Sequence, residues 1–173
     1  IGRWDVSQVT NMSYMFYSCF NFNQSLAVWD VSQAPDMSSI FYDCCGYNQC
    51  LAKWNGSKVT NMSFMFFGCR SFDTSLANWD VSQVTSMKGL FYNCHKFNQS
   101  LSKWNVSQVN DMEAMFLKCL SFNQSLGGWN VSQVKDMHSI IMDCHSFNQN
   151  LTNWNVSQGT DISDMFAECR SFN

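Results

Sequence analysis

Apolar residues return along this chain with a period of 25, and their spacing changes within each period. In the first unit Val9, Met12, Met15 with Phe16, and Cys19 recur every three to four residues. That is the spacing of a short helix or 3₁₀ segment with one buried face. Phe22, Leu26, Trp29 and Val31 obey another rule, because Trp-Asp-Val sets two apolar side chains on one side of an extended segment and the acid on the other. The pattern predicts one short parallel strand and one short helix or 3₁₀ segment per unit. Ser7, Ser32, Ser57, Ser82, Ser107, Ser132 and Ser157 stand just ahead of the helical stretch, where a hydroxyl caps orphan N–H groups.

The period has no interruption. Trp4, Trp29, Trp54, Trp79, Trp104, Trp129 and Trp154 form one column, and Cys19, Cys44, Cys69, Cys94, Cys119, Cys144 and Cys169 another. An unbroken repeat of this length predicts stacked rungs, since one extra residue would shift every column beyond it. A lone rung cannot bury its own apolar face, so neighbours must supply the walls. The expectation is an α/β solenoid of seven 25-residue rungs spanning 1–173 as one continuous array. The chain starts inside one unit and stops inside another without a polar cap at either end. That predicts a segment of a longer array, or subunits that associate end to end into a fibril.

The unit Phe-Asn-Gln-Ser-Leu, Trp-Asp-Val-Ser-Gln-Val-Thr, Met and Met-Phe before Cys resembles the BspA-like leucine-rich-repeat surface proteins over all 173 residues. The resemblance implies a right-handed solenoid with a parallel sheet on one face, a microbial surface or secreted location, roles in adhesion, and no catalytic residues. Local departures are Gly56 for Val6, Gly159 for Val9, Ala34 with Pro35 for Val-Thr, and Ile141 for Phe16.

Composition removes several function classes. With 46% hydrophobic residues and only 13% charged, the chain is no disordered polymer. A net charge of -3 with ten Lys plus Arg offers no basic patch for nucleic acid. No apolar run is long enough to form a transmembrane segment. No phosphate-cradling Gly-rich loop or G-x-S-x-G occurs, and His95, His138 and His145 meet no regular Ser or carboxylate partner within the repeat. No enzyme activity, cofactor or metal is expected. The Met12 column reads as core filler, and Asp36, Asp111, Asp136 and Asp161 as first-turn acids suited to a helix dipole.

Four polar features remain. The Cys column reads as buried free thiols, with adjacent-rung disulfides and zinc as weaker alternatives. Cys45 and Cys50 replace polar or mixed residues in one rung, which predicts a disulfide across that turn and an oxidising compartment. The column of Asn23, Asn48, Asn98, Asn123, Asn148 and Asn173, with Asp73, predicts a hydrogen-bonded ladder. In the column after Trp, Asn55, Asn105, Asn130 and Asn155 face solvent within Asn-x-Ser sequons, and for a eukaryotic secretory source they predict N-glycosylation. The expected function is a structural extracellular or cell-surface repeat protein that self-associates end to end. The alternative is an adhesion module that presents its sheet face to a host protein or glycan.

Overall fold

The structure, a computed structural model, describes residues 1–173. Rungs begin at residues 1, 26, 51, 76, 101, 126 and 151, and each lies against the next in register. The expected strand and helix per rung are not formed. No residue belongs to a helix or to a strand of a sheet, and sheet-type pairing is confined to single parallel bridges along Asn11, Asp36, Asn61, Ser86, Asp111, Asp136 and Asp161.

Each rung is a succession of tight turns closed by i+3 to i hydrogen bonds. In the second rung Trp29 donates to Leu26, Ala34 to Val31, Ile40 to Met37, Tyr42 to Ser39, Cys44 to Phe41 and Tyr47 to Cys44, at 2.9 to 3.5 Å. All but the Ser39–Tyr42 turn open and close on buried side chains. This is why the sequence carries a three-to-four period without a helix: the period marks which residues face inward, and chained turns generate it as well as helical geometry does.

In the middle of the rung the N–H groups alternate between two tasks. Met15, Tyr17 and Cys19 donate within their own turns, whereas Tyr14, Phe16 and Ser18 donate to Ser38, Ile40 and Tyr42 of the next rung at 2.7 to 3.1 Å. An α-helix would spend all of these donors internally, and a strand none of them locally. The alternation needs a left-handed backbone at two places per rung, four residues apart. Twelve non-Gly residues adopt it, among them Tyr14, Ser39, Phe64, Ala114 and Lys118, together with Gly68 and Gly89. Positive φ at the third residue of a turn is the mark of type II geometry.

The Trp-Asp-Val stretch is held differently. Its backbone makes local turns, and the rungs are joined there by side chains. Trp54 Nε1–H donates to Leu26 O at 3.0 Å, a carbonyl that also accepts the Trp29 N–H. The bond recurs at Trp79, Trp104, Trp129 and Trp154 at 2.9 to 3.1 Å. One apolar cluster of 48 buried residues runs through the whole stack. Within it Phe16, Phe41, Phe66, Phe91 and Phe116 stack with centroids 5.6 to 5.7 Å apart.

Candidate functional surface

The outward polar columns share one device, a side-chain oxygen that accepts a backbone N–H. After each Trp, Asp5, Asp30, Asn55, Asp80, Asn105, Asn130 and Asn155 accept the N–H of the Ser two residues on, at 3.0 to 3.2 Å. The Ser32 and Ser82 side chains, and then these N–H bonds, hold the Asp30 and Asp80 carboxyls below their ordinary pKa, and the Ser7 N–H and then its side chain do so for Asp5. The Ser at this place therefore caps no helix; its N–H is the donor. Asn55, Asn105, Asn130 and Asn155 are exposed, as expected. The free interchange of Asp and Asn shows that the column needs an acceptor oxygen, which Oδ1 supplies in either residue.

The bridge column works the same way. Asp36, Asp111, Asp136 and Asp161 accept the N–H two residues ahead at 2.8 to 3.1 Å, so a turn, and not a helix dipole, explains these acids. The Asn23 column forms a ladder between rungs. Asn48 N–H donates to Asn23 Oδ1, Asp73 N–H to Asn48 Oδ1 and Asn98 N–H to Asp73 Oδ1, each at 2.9 Å. Asp73 fits because the ladder again asks only for an acceptor.

All nine cysteines are free thiols. Cys45 is half-buried and Cys50 exposed, and no bond joins them. From Cys44 to Cys169 each column thiol donates to a carbonyl 28 residues back, for example Cys94 Sγ to Phe66 O at 3.0 Å. Burial pushes the Cys44 thiol up to about 12 and the Cys69, Cys94 and Cys119 thiols well above the ordinary range.

Two clusters cross rung boundaries and were invisible within a single repeat. Carboxylate oxygens of Asp111, Glu113 and Asp136 lie within 4.8 Å of one another, and the Lys88 ammonium pairs with Glu113. Burial, before any other cause, raises the Asp111 pKa, with Asp136 and Glu113 adding to it. These are the carboxylates that could together hold a cation, and Lys88 already supplies one positive charge. The second cluster corrects the reading of His138 as lacking a Ser partner. His138 Nδ1 lies 2.8 Å from Ser163 Oγ, Nε2 lies 3.2 Å from Ser139 Oγ, and Ser163 donates to Asp161. Such a chain orients a nucleophile in some enzymes, but here Ser139 is 3% exposed. The N–H groups of Ser139 and Ile140 are spent on Ser163 O and Met137 O.

The turn that begins at Tyr14 closes on a residue outside the core in every rung, Tyr17 and its equivalents, and this column builds an aromatic ladder on the surface. Tyr17, Tyr42, Phe67 and Tyr92 follow one another at 4.2 to 4.7 Å, flanked by Tyr14 and Phe64. Tyr14 is 59% and Tyr17 48% exposed, and the other four are half-buried. In later rungs the column becomes Leu117, Met142 and Ala167.

Stacked turns, a continuous core and outward columns of repeated acceptors define a repeat protein whose rungs are alike in architecture and differ in a few surface patches. The chain belongs to the family described as Mycoplasma protein of unknown function, DUF285, whose model matches residues 1–88 and again 69–173. No curated protein and no solved structure matches it. No helix is long and apolar enough to cross a membrane.

Proposed function

We propose that this chain is structural, a section of a cell-surface or extracellular repeat array of the BspA-like kind. The observation that carries the reading is the single core threaded through all rungs, in which each rung is walled by its neighbours. Such a stack gains length by adding rungs, whether covalently or by end-to-end association of subunits. Sedimentation velocity across a concentration series, paired with electron microscopy, tests it. The reading expects filaments or a ladder of end-to-end oligomers in native material. Discrete monomers at all concentrations, from a chain of native length, would sink it.

The surface aromatic ladder supports a second reading, an adhesion module for a host protein. Exposed aromatic clusters are commoner at interfaces than elsewhere on protein surfaces. Replacing Tyr17 and Tyr42 by Ser should abolish cell attachment under this reading and leave filament formation unchanged under the first.

A further inference from the structure

Away from the aromatic ladder, an open groove of about 560 Å³ runs along the side of the fourth to sixth rungs. Its volume lies within the roughly 300–1,000 Å³ typical of ligand sites, yet none of its eight lining residues is hydrophobic. Among them Gln108, Asn110, Gln133 and Lys135 engage no other group of the chain through their side chains. Asn130 spends Oδ1 on the Ser132 N–H at 3.2 Å and keeps its amide N–H₂ free.

The electrostatics of the groove change along the stack. Asp5, Asp30 and Asp80 occupy the column in which Asn105, Asn130 and Asn155 stand, and Lys135 replaces the Thr of Thr10, Thr60 and Thr85. Carboxylates therefore leave the column in the same part of the chain in which an ammonium enters the groove. Asp111 and Asp136, next in sequence to two lining residues, gather with Glu113 instead. No carboxylate lines the groove, although the chain carries a net charge of -3.

This lining selects among ligand classes. With no apolar wall it rejects lipids, nucleobases and apolar peptide side chains. It offers no strand edge to a peptide, because the Asn110 and Lys135 N–H groups are spent on Thr85 O and Asn110 O at 2.9 Å. One ammonium is too little for a phosphate backbone. Free amides that both donate and accept, placed at the same position in successive rungs, match the hydroxyl and amide groups of a sugar chain. The unpaired ammonium matches a carboxylate on that chain. We propose that this groove binds an acidic polysaccharide laid along the stack, with sugar hydroxyls and amides on Gln108, Asn130 and Gln133 and a sugar carboxylate on Lys135. The inference goes beyond the structural role and does not depend on it.

Calorimetric titration of the full chain with a hyaluronan decasaccharide tests the proposal, with a chitin hexasaccharide as a neutral comparator. Two variants copy residues that other rungs already carry at the same positions, so the fold tolerates them. Lys135→Thr copies Thr85, and Asn130→Asp copies Asp80 and keeps the acceptor oxygen of its turn. Each should weaken hyaluronan binding about tenfold, the scale of one charge-assisted contact. Gln108→Ala with Gln133→Ala should weaken both sugars, and Lys135→Thr should leave the chitin oligosaccharide unaffected. Absence of hyaluronan binding at millimolar concentration, equal affinity for the two sugars, or affinity unchanged by the variants would overturn the proposal.

Discussion

Tyr47 stands in a column filled elsewhere by Phe22, Phe72, Phe97, Phe122, Phe147 and Phe172, and its ring stacks on Phe41 at 4.2 Å as a Phe would. Its hydroxyl is buried without a hydrogen-bond partner, and burial raises its pKa well above the ordinary tyrosine value. An orphaned buried hydroxyl costs about 1–3 kcal/mol, so Tyr47→Phe should stabilise the chain by about 1 kcal/mol in urea unfolding. A destabilised variant would mean that the hydroxyl is satisfied. The acceptor columns make a paired prediction. Asn123→Asp should be nearly neutral, because Oδ1 still accepts the Asn148 N–H. Asn123→Ala should cost about 1 kcal/mol, since that N–H and the Gln149 amide both lose their acceptor. Equal costs for the two variants would refute the acceptor reading. At this scale the sequence was informative. The Asp73 exception in an Asn column and the Asp/Asn mixture after Trp both report an acceptor, although the donor each one meets could only be seen in the fold.

Turns, and not helices or strands, are the elements of this protein, and here the sequence misled for a definable reason. In the third rung Val59, Met62, Met65 and Cys69 face inward at helical spacing because chained turns advance the chain at a similar rate. The left-handed residues gave no warning either. Glycine is the usual occupant of such positions, yet only Gly68 and Gly89 mark them; Ser and Asp fill six of the other twelve, and Tyr, Phe, Asn, Ala, Lys and Glu the remainder. Stacking against neighbouring rungs must offset a strain of roughly 1–2 kcal/mol per such residue. The Cys ladder gives this scale its test. Native alkylation by iodoacetamide at pH 8 without reductant should modify Cys19, Cys45 and Cys50 and spare Cys69, Cys94 and Cys119, whose buried thiols stay protonated. Protection of Cys45 and Cys50 that is relieved by reductant would restore the disulfide. The acids after Trp set a pH response. Asp5, Asp30 and Asp80 have depressed pKa values, so their stabilisation is present above the unfolded carboxylate value near 4 and is lost as pH falls through the folded values. Asp80→Asn should flatten that acid limb in thermal melts taken between about pH 5 and 2. An unchanged limb would show that the Ser82 bond does not survive in solution.

The whole molecule is one core divided into interchangeable rungs. The hydrogen bonds between distant parts of the chain join adjacent rungs, and the Trp and Cys columns each repeat the same bond 28 residues back. The repeat, its register and the inward columns were legible in the sequence, because a 25-residue period without insertions permits little else. The surface clusters of Asp111 and Glu113 with Asp136 and of His138 with Ser163 were not, since they join columns of adjacent rungs whose side chains vary from rung to rung, and only the stacking shows which of them meet. The central claim, that each 25-residue unit is a self-consistent rung held by its neighbours, is tested most directly by excision, with cooperativity read from urea unfolding. Removing residues 51–75 joins Cys50 to Leu76 in the register that Cys50 and Leu51 have now, and should leave a cooperatively folded chain of slightly lower midpoint. Removing residues 51–63 shifts every column at the junction and should split the single transition into weaker, separate ones. Loss of folding on removal of the whole rung, or one undivided transition of unchanged midpoint from the partial one, would contradict the account.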